Sequence, residues 1–133
     1  IPEHLVPLAI DEFPALFIAA ACATGETVLT GAHELRVKES DRIAVMADGL
    51  TALGIDCTVT DDGIRIQGKG SAAAVFSGGT VDSHGDHRIA MSFAMASLRA
   101  SAPITILDCA NVNTSFPGFV TLANSAGLNI KLP

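Results

Sequence analysis

The chain has 133 residues, 49% of them hydrophobic and 17% charged, with a net charge of −6. That is enough for one domain with a real core and excludes a disordered or low-complexity segment. The acidic balance argues against a nucleic-acid or anionic-membrane binder, and the longest apolar run, the nine residues Ala15 to Ala23, is too short to span a bilayer.

In chain order, the first helix signal follows Ile10. Asp11 is placed to cap it, Pro14 suits its first turn, Ala15 to Ala23 continues it and Gly25 ends it. Its all-round apolar character predicts burial on most sides. Glu26 to Gly31 reads as a short strand, and a polar loop runs from Ala32 to Glu39. Ser40 is placed to cap a second helix, in which Ile43, Met46, Leu50 and Leu53 form one apolar stripe before Gly54. Ile55–Thr60 and Ile64–Gln67 flank Asp61-Asp62-Gly63, and Asp-Gly between β runs signals a hairpin. Thr80–Ser83 is a short strand. Asp86 caps a third helix over Ile89–Leu98, and Pro103–Asp108 is a strand. Ser115 opens a fourth helix ending at Gly127, and Leu128–Leu132 closes the chain as a last strand.

The halves match at an offset of 75 residues: Asp11 with Asp86, Ser40 with Ser115, and Ala19 and Ala21 with Ala94 and Ala96. This predicts two copies of a helix–strand–helix–strand unit. If the strands in each unit run parallel, the helices start from the same edge, and their clustered N-termini favour an anion.

The cations point the same way. Arg36, Lys38 and Arg42 fall within seven residues, and Arg88 follows Asp86-His87 in the first turn of the third helix. The helix dipole disfavours a cation at a helix start. A bound phosphate or carboxylate explains arginines there, since the guanidinium fork fits both. Bridging to Asp41 and Asp86 is the alternative. Lys38 and Glu39 suit acid–base chemistry in a dry site, or are two surface charges in salt bridges. His87 is either a proton carrier or a hydrogen-bonded structural group. No His/Cys/Asp/Glu spacing suggests zinc and no glycine-rich phosphate loop is present, so neither metal nor cofactor is expected. Cys22, Cys57 and Cys109 read as core thiols, and with no signal-peptide pattern a cytoplasmic location is expected.

Leu35-Arg36-Val37-Lys38-Glu39-Ser40-Asp41-Arg42 resembles a signature of the 5-enolpyruvylshikimate-3-phosphate synthase family. Gly85-Asp86-His87-Arg88-Ile89-Ala90-Met91, Ile10-Asp11-Glu12-Phe13-Pro14 and Thr114-Ser115-Phe116-Pro117-Gly118-Phe119 are similar to three further motifs, in the family's order. The resemblance implies an α/β fold of β-α-β-α-β-β units with helix N-termini on one side. It implies about two repeats of the C-terminal domain, over about 1–70 and 71–133, and hence a truncated transferase without its N-terminal domain. Its substrates would be phosphoenolpyruvate and shikimate-3-phosphate, joined with release of phosphate in aromatic amino acid synthesis. Asp11 then matches the residue that contacts the shikimate hydroxyls and is a proposed base. Lys38 matches the lysine near the attacking hydroxyl, and Glu39 the proton carrier at the phosphoenolpyruvate methylene carbon. Arg42 and Arg88 match the arginines that hold phosphoenolpyruvate, with Asp86 and His87 supporting them. Thr114 departs from relatives that carry a lysine there. Two other readings are a non-catalytic anion-binding or assembly module with the same repeat, and a small complete enzyme. A segment of a larger repeat domain is also expected to expose apolar edges and self-associate.

Overall fold

A computed structural model describes all residues, 1–133. After two short 3₁₀ turns, Glu3–Leu8 and Ile10–Glu12, come α1 (Phe13–Cys22), β1 (Thr24–Leu29), α2 (Arg42–Ala52), β2 (Cys57–Thr60) and β3 (Gly63–Lys69). β4 (Gly79–Asp82), α3 (His87–Ala96), β5 (Ile104–Leu107), α4 (Ala110–Ser115) and α5 (Phe119–Ser125) complete the chain. No helix is long and apolar enough to cross a membrane.

The hydrophobic stripe of α2 lies where the periodicity puts it: Ile43, Met46, Leu50 and Leu53 are all fully buried. They meet Phe13, Phe17, Leu29, Ile64, Ile66 and Phe93 in one core. Gly54, with φ +86°, provides the left-handed residue that ends the helix. β1, β3 and β2 form an antiparallel sheet with β3 in the middle. Its hairpin turns through Asp61-Asp62, with Thr60 paired to Gly63. Gly63 is required by closeness and not by a positive φ, because a Cβ there would overlap the Leu29 carbonyl.

The condition of parallel strands within a unit is met only by β4 and β5. A two-residue turn forces β2 and β3 to run antiparallel, and β1 joins them the same way. α1 and α3 stand at the 75-residue offset, as do α2 and α5, so the helices repeat while the sheets differ.

Several local expectations are corrected. Burial of α1 is one-sided: Phe13, Phe17, Ile18, Ala20 and Ala21 are buried, while Ala15, Leu16 and Ala19 face outward. Leu16 and Ala19 join Ile1, Leu5 and Ala9 in an apolar groove of about 410 Å³. Ala23 is the C-cap of α1, and Gly25 lies inside β1. The predicted fourth helix is split. Phe116 leaves the helical region (φ −139°, ψ 77°) because the residue before Pro117 is driven out of it. Ser115 therefore ends α4, and Gly118 (φ 83°) precedes α5. Leu128–Leu132 is not a strand. Asn124 takes up its backbone instead, accepting from Ile130 N at 2.7 Å and donating to Ile130 O at 3.0 Å. The three cysteines are free and half-buried; Cys22 and Cys57 pack against the edge of the core, and Cys109 lies apart from it. Burial raises the Cys57 and Cys109 thiols, which keeps them protonated.

Candidate functional site

The starts of α1, α2 and α3 converge. Asp41 caps α2 by accepting from Ala44 N at 3.0 Å, so the cap falls one residue after Ser40. Ser40 is drawn elsewhere: its Oγ donates to Asp86 Oδ2 at 2.8 Å. Asp86 caps α3 by accepting from Arg88 N at 3.1 Å. Asp11 caps nothing: Glu12 holds the N-cap position of α1, and its side chain makes no capping bond there. Asp11 instead faces two cations.

Arg42 is the centre of this cluster and is 1% exposed. Its Nε donates to Asp86 Oδ2 at 2.8 Å and its Nη1 to Asp11 Oδ1 at 3.2 Å. Its Nη2 donates to Glu39 Oε2 at 2.6 Å and to Asp86 Oδ1 at 3.3 Å. The bridge to Asp86 open from sequence is therefore made, and two further carboxylates join it. A buried guanidinium requires such compensation, since an isolated charge in this position would cost several kcal/mol. Asp86 is itself fully buried. Burial is the largest single influence on it and would raise its carboxyl. The bonds from Arg42 and Ser40, the Arg42 charge and the Arg88 N–H together outweigh that and hold Asp86 below its ordinary value.

Lys38 lies at the rim, donating to Glu34 Oε1 at 3.0 Å and standing 3.5 Å from Asp11 Oδ1. The Glu34 bond raises the lysine above its ordinary value; partial desolvation opposes this and Asp11 adds to it. The surface-pair alternative for Lys38 is thus also realised, with Asp11 as a shared partner. Glu39 is exposed apart from its contact with Arg42.

Arg88 approaches from α3. Its Nη1 donates to the Asp11 backbone oxygen at 3.1 Å and reaches Glu12 Oε1 at 3.4 Å. Arg42 and Arg88 therefore flank Asp11 from two sides. Arg88 and Asp11 also line a hollow of about 140 Å³ with Glu12, Ala15, Met91 and Phe119, which brings the start of α5 to the same place. Arg88 is over a third exposed, whereas every guanidinium nitrogen of Arg42 is committed. His87 opens α3 half-buried, outside the Arg42 network. Thr114 is exposed on α4. No group of side chains here could hold a metal ion.

Sequence reasoning brings together Asp11, Lys38, Glu39, Arg42, Asp86 and Arg88. It misses Ser40 as a partner of Asp86 and Glu12 as a partner of Arg88. A serine next to a capping aspartate was the available signal for the first, and nothing local marks the second.

Comparison with known proteins identifies the family. Residues 2–122 match the family model described as EPSP synthase (3-phosphoshikimate 1-carboxyvinyltransferase). The 3-phosphoshikimate 1-carboxyvinyltransferase of Methylococcus capsulatus is 73% identical over 99% of this chain and 29% of its own length. That of Nitrosococcus oceani is 72% identical over 98% of this chain and 28% of its own length. A solved EPSP synthase from Acinetobacter baumannii superposes with a TM-score of 0.96 at 68% identity, over 98% of this chain and 30% of that one. The fold is thus the α/β fold of the enolpyruvyl transferases, and the chain spans somewhat under a third of the relatives it matches.

Proposed function

This chain belongs to the EPSP synthase family, and from that premise we propose that it supplies one wall of a site that transfers the enolpyruvyl group. The substrates are phosphoenolpyruvate and shikimate-3-phosphate. A shikimate hydroxyl adds to the substituted carbon of phosphoenolpyruvate while a proton goes to its methylene carbon. The hydroxyl gives up its own proton to a base, and loss of one proton from the resulting methyl group together with phosphate then restores the double bond. We place residues 1–133 in the C-terminal domain, with one repeat over about 1–70 and a second over about 71–133. A cytoplasmic enzyme whose opposite wall lies elsewhere in a longer polypeptide fits this reading.

The single observation that carries it is the convergence of Asp11, Lys38, Glu39, Arg42 and Arg88 around three helix starts. Arg88 has the exposure to take the phosphoenolpyruvate anion. Arg42 follows once substrate replaces one of its carboxylates, and Asp86 holds it in place from behind. Lys38 and Asp11 are already within reach of one another, which suits a lysine and a base that share the attacking hydroxyl. Glu39 sits exposed beside Arg42, as a carrier of the methylene proton requires. His87 stands between Asp86 and Arg88 at the first position of α3.

In the isolated wall the cations are neutralised by their own neighbours. Positioning two anions between two walls supplies roughly 7–11 kcal/mol of such a barrier, and one wall forfeits most of it. The test is a phosphate-release assay with both substrates, on the full-length protein and on residues 1–133 alone. The full-length protein turns over; the segment does not, and binds phosphate weakly and salt-sensitively near Arg88. Robust turnover by the segment would overturn the two-wall argument.

A further inference from the structure

We propose that Arg36 is a positioning residue of this site, clamping the segment that carries Lys38 and Glu39 onto the β2–β3 turn. The proposal rests on the functional reading above and adds a residue that touches neither substrate nor reacting atoms.

The segment between β1 and α2 has no regular structure beyond a 3₁₀ turn over His33–Val37, yet it carries two of the reacting groups. It is tied to the hairpin in two places. Where it leaves β1, Gly31 N donates to Asp62 Oδ2 at 2.9 Å and Ala32 N to Asp62 O at 2.7 Å. In its middle the only polar tie to the hairpin is Arg36. Its Nε donates to Asp61 O at 2.8 Å and its Nη2 to Thr60 O at 2.6 Å. Its Nη1 donates to Asp41 Oδ2 at 2.7 Å. Asp41 is the residue whose other oxygen caps α2. One guanidinium therefore joins three things: the hairpin turn, the loop two residues before Lys38, and the first turn of the helix that begins at Arg42. Buried Leu35 holds the same loop through packing, but an apolar anchor does not set the direction in which the following residues leave.

The fork is what the geometry demands. Two backbone carbonyls and one carboxylate are reached by three different nitrogens in one plane, which a lysine ammonium does not reproduce. Without the clamp, Lys38 and Glu39 are free to swing away from Asp11 and Arg42, while the Arg88 contacts, made from α3, stay intact.

The experiment uses the full-length enzyme with Arg36→Ala and Arg36→Lys. Both variants are assayed for kcat per folded molecule and KM for phosphoenolpyruvate, with amide hydrogen exchange followed over residues 34–41. The expected result is a kcat loss of about tenfold to a hundredfold in both, with KM for phosphoenolpyruvate held within about threefold. Exchange over residues 34–41 speeds up about tenfold or more while the interior of α2 is unchanged. Arg36→Lys keeps the charge and carries the test if Arg36→Ala fails to fold. Unchanged kcat in a folded variant, full rescue by lysine, or a uniform rise in exchange across both sheets would overturn the proposal. If the unsubstituted enzyme shows no turnover with these substrates, the functional reading fails, and the exchange pattern still decides the role of Arg36.

Discussion

The Arg42–Asp86 pair decides how the site is held and how it responds to pH. Both side chains are buried, and removing one partner of such a pair typically costs about 3–5 kcal/mol because a charge is left uncompensated. Arg42 keeps Glu39 and Asp11 on its other nitrogens, so Asp86→Asn is expected at the low end, about 3 kcal/mol, read from urea unfolding at neutral pH. Asp86 is lowered in the folded protein from a reference of 3.8. Its contribution is therefore complete above pH 3.8 and is lost as pH falls through the lower folded value. The stability gap between the unsubstituted protein and Asp86→Asn should narrow in that acid range; a gap independent of pH would refute the pairing. In the full-length enzyme the two kinds of residue should separate kinetically. Arg88→Ala is expected to raise KM for phosphoenolpyruvate roughly tenfold to a hundredfold, the worth of a charge-assisted bond. Glu39→Ala is expected to lower kcat by about 10²–10⁴, the range for a positioned proton carrier.

Among the elements, one helix contact away from the site bears on its geometry. Gly49 on α2 faces Phe93 on α3, and a Cβ at Gly49 would overlap the Phe93 ring. The two helices that present Arg42 and Arg88 are therefore spaced by a missing side chain. Overpacking of this kind costs typically about 1–3 kcal/mol. Gly49→Ala should lower the melting temperature accordingly, and adding Phe93→Leu should restore much of it. If the double variant is no better than the single one, the Phe93 contact does not set the spacing. The same reasoning separates α4 from α5. Pro117 was legible in the sequence, and its effect on Phe116 follows from backbone sterics alone.

Viewed whole, the molecule shows an uneven distribution of burial. Its core joins α1, α2, α3 and the antiparallel sheet, while the outer face of α1 remains uncovered with Leu16 43% exposed. Together with Ile1 and Leu5 it forms a groove of about 410 Å³ lined almost wholly by apolar side chains. Residues 1–133 alone should therefore self-associate through this face, and Leu16→Glu should shift the species toward monomer in sedimentation velocity. A monomer at high concentration without the substitution would show that the groove is not sticky enough to matter. The net charge of −6 opposes association at low salt, so raising the salt should favour it.

By itself the sequence determined what depends on neighbours along the chain. The apolar spacing from Ile43 to Leu53 makes α2, the Asp61-Asp62-Gly63 turn makes the hairpin, and Asp86 before an Ala-rich run makes the start of α3. The four motif runs, each local, were enough to point to the family. What only the tertiary structure decided is which charges meet. Arg88 and Asp11 are 77 residues apart, Arg42 and Asp86 are 44 apart, and Arg36 and Asp61 are 25 apart. The local rules that make Asp11 or Ser40 good caps carry no information about a distant guanidinium. Once α1, α2 and α3 pack, a buried Arg42 must be neutralised. The need to compensate that charge draws Asp11 out of the capping role its local sequence offers, and Ser40 is drawn out of its own by the Asp86 carboxylate.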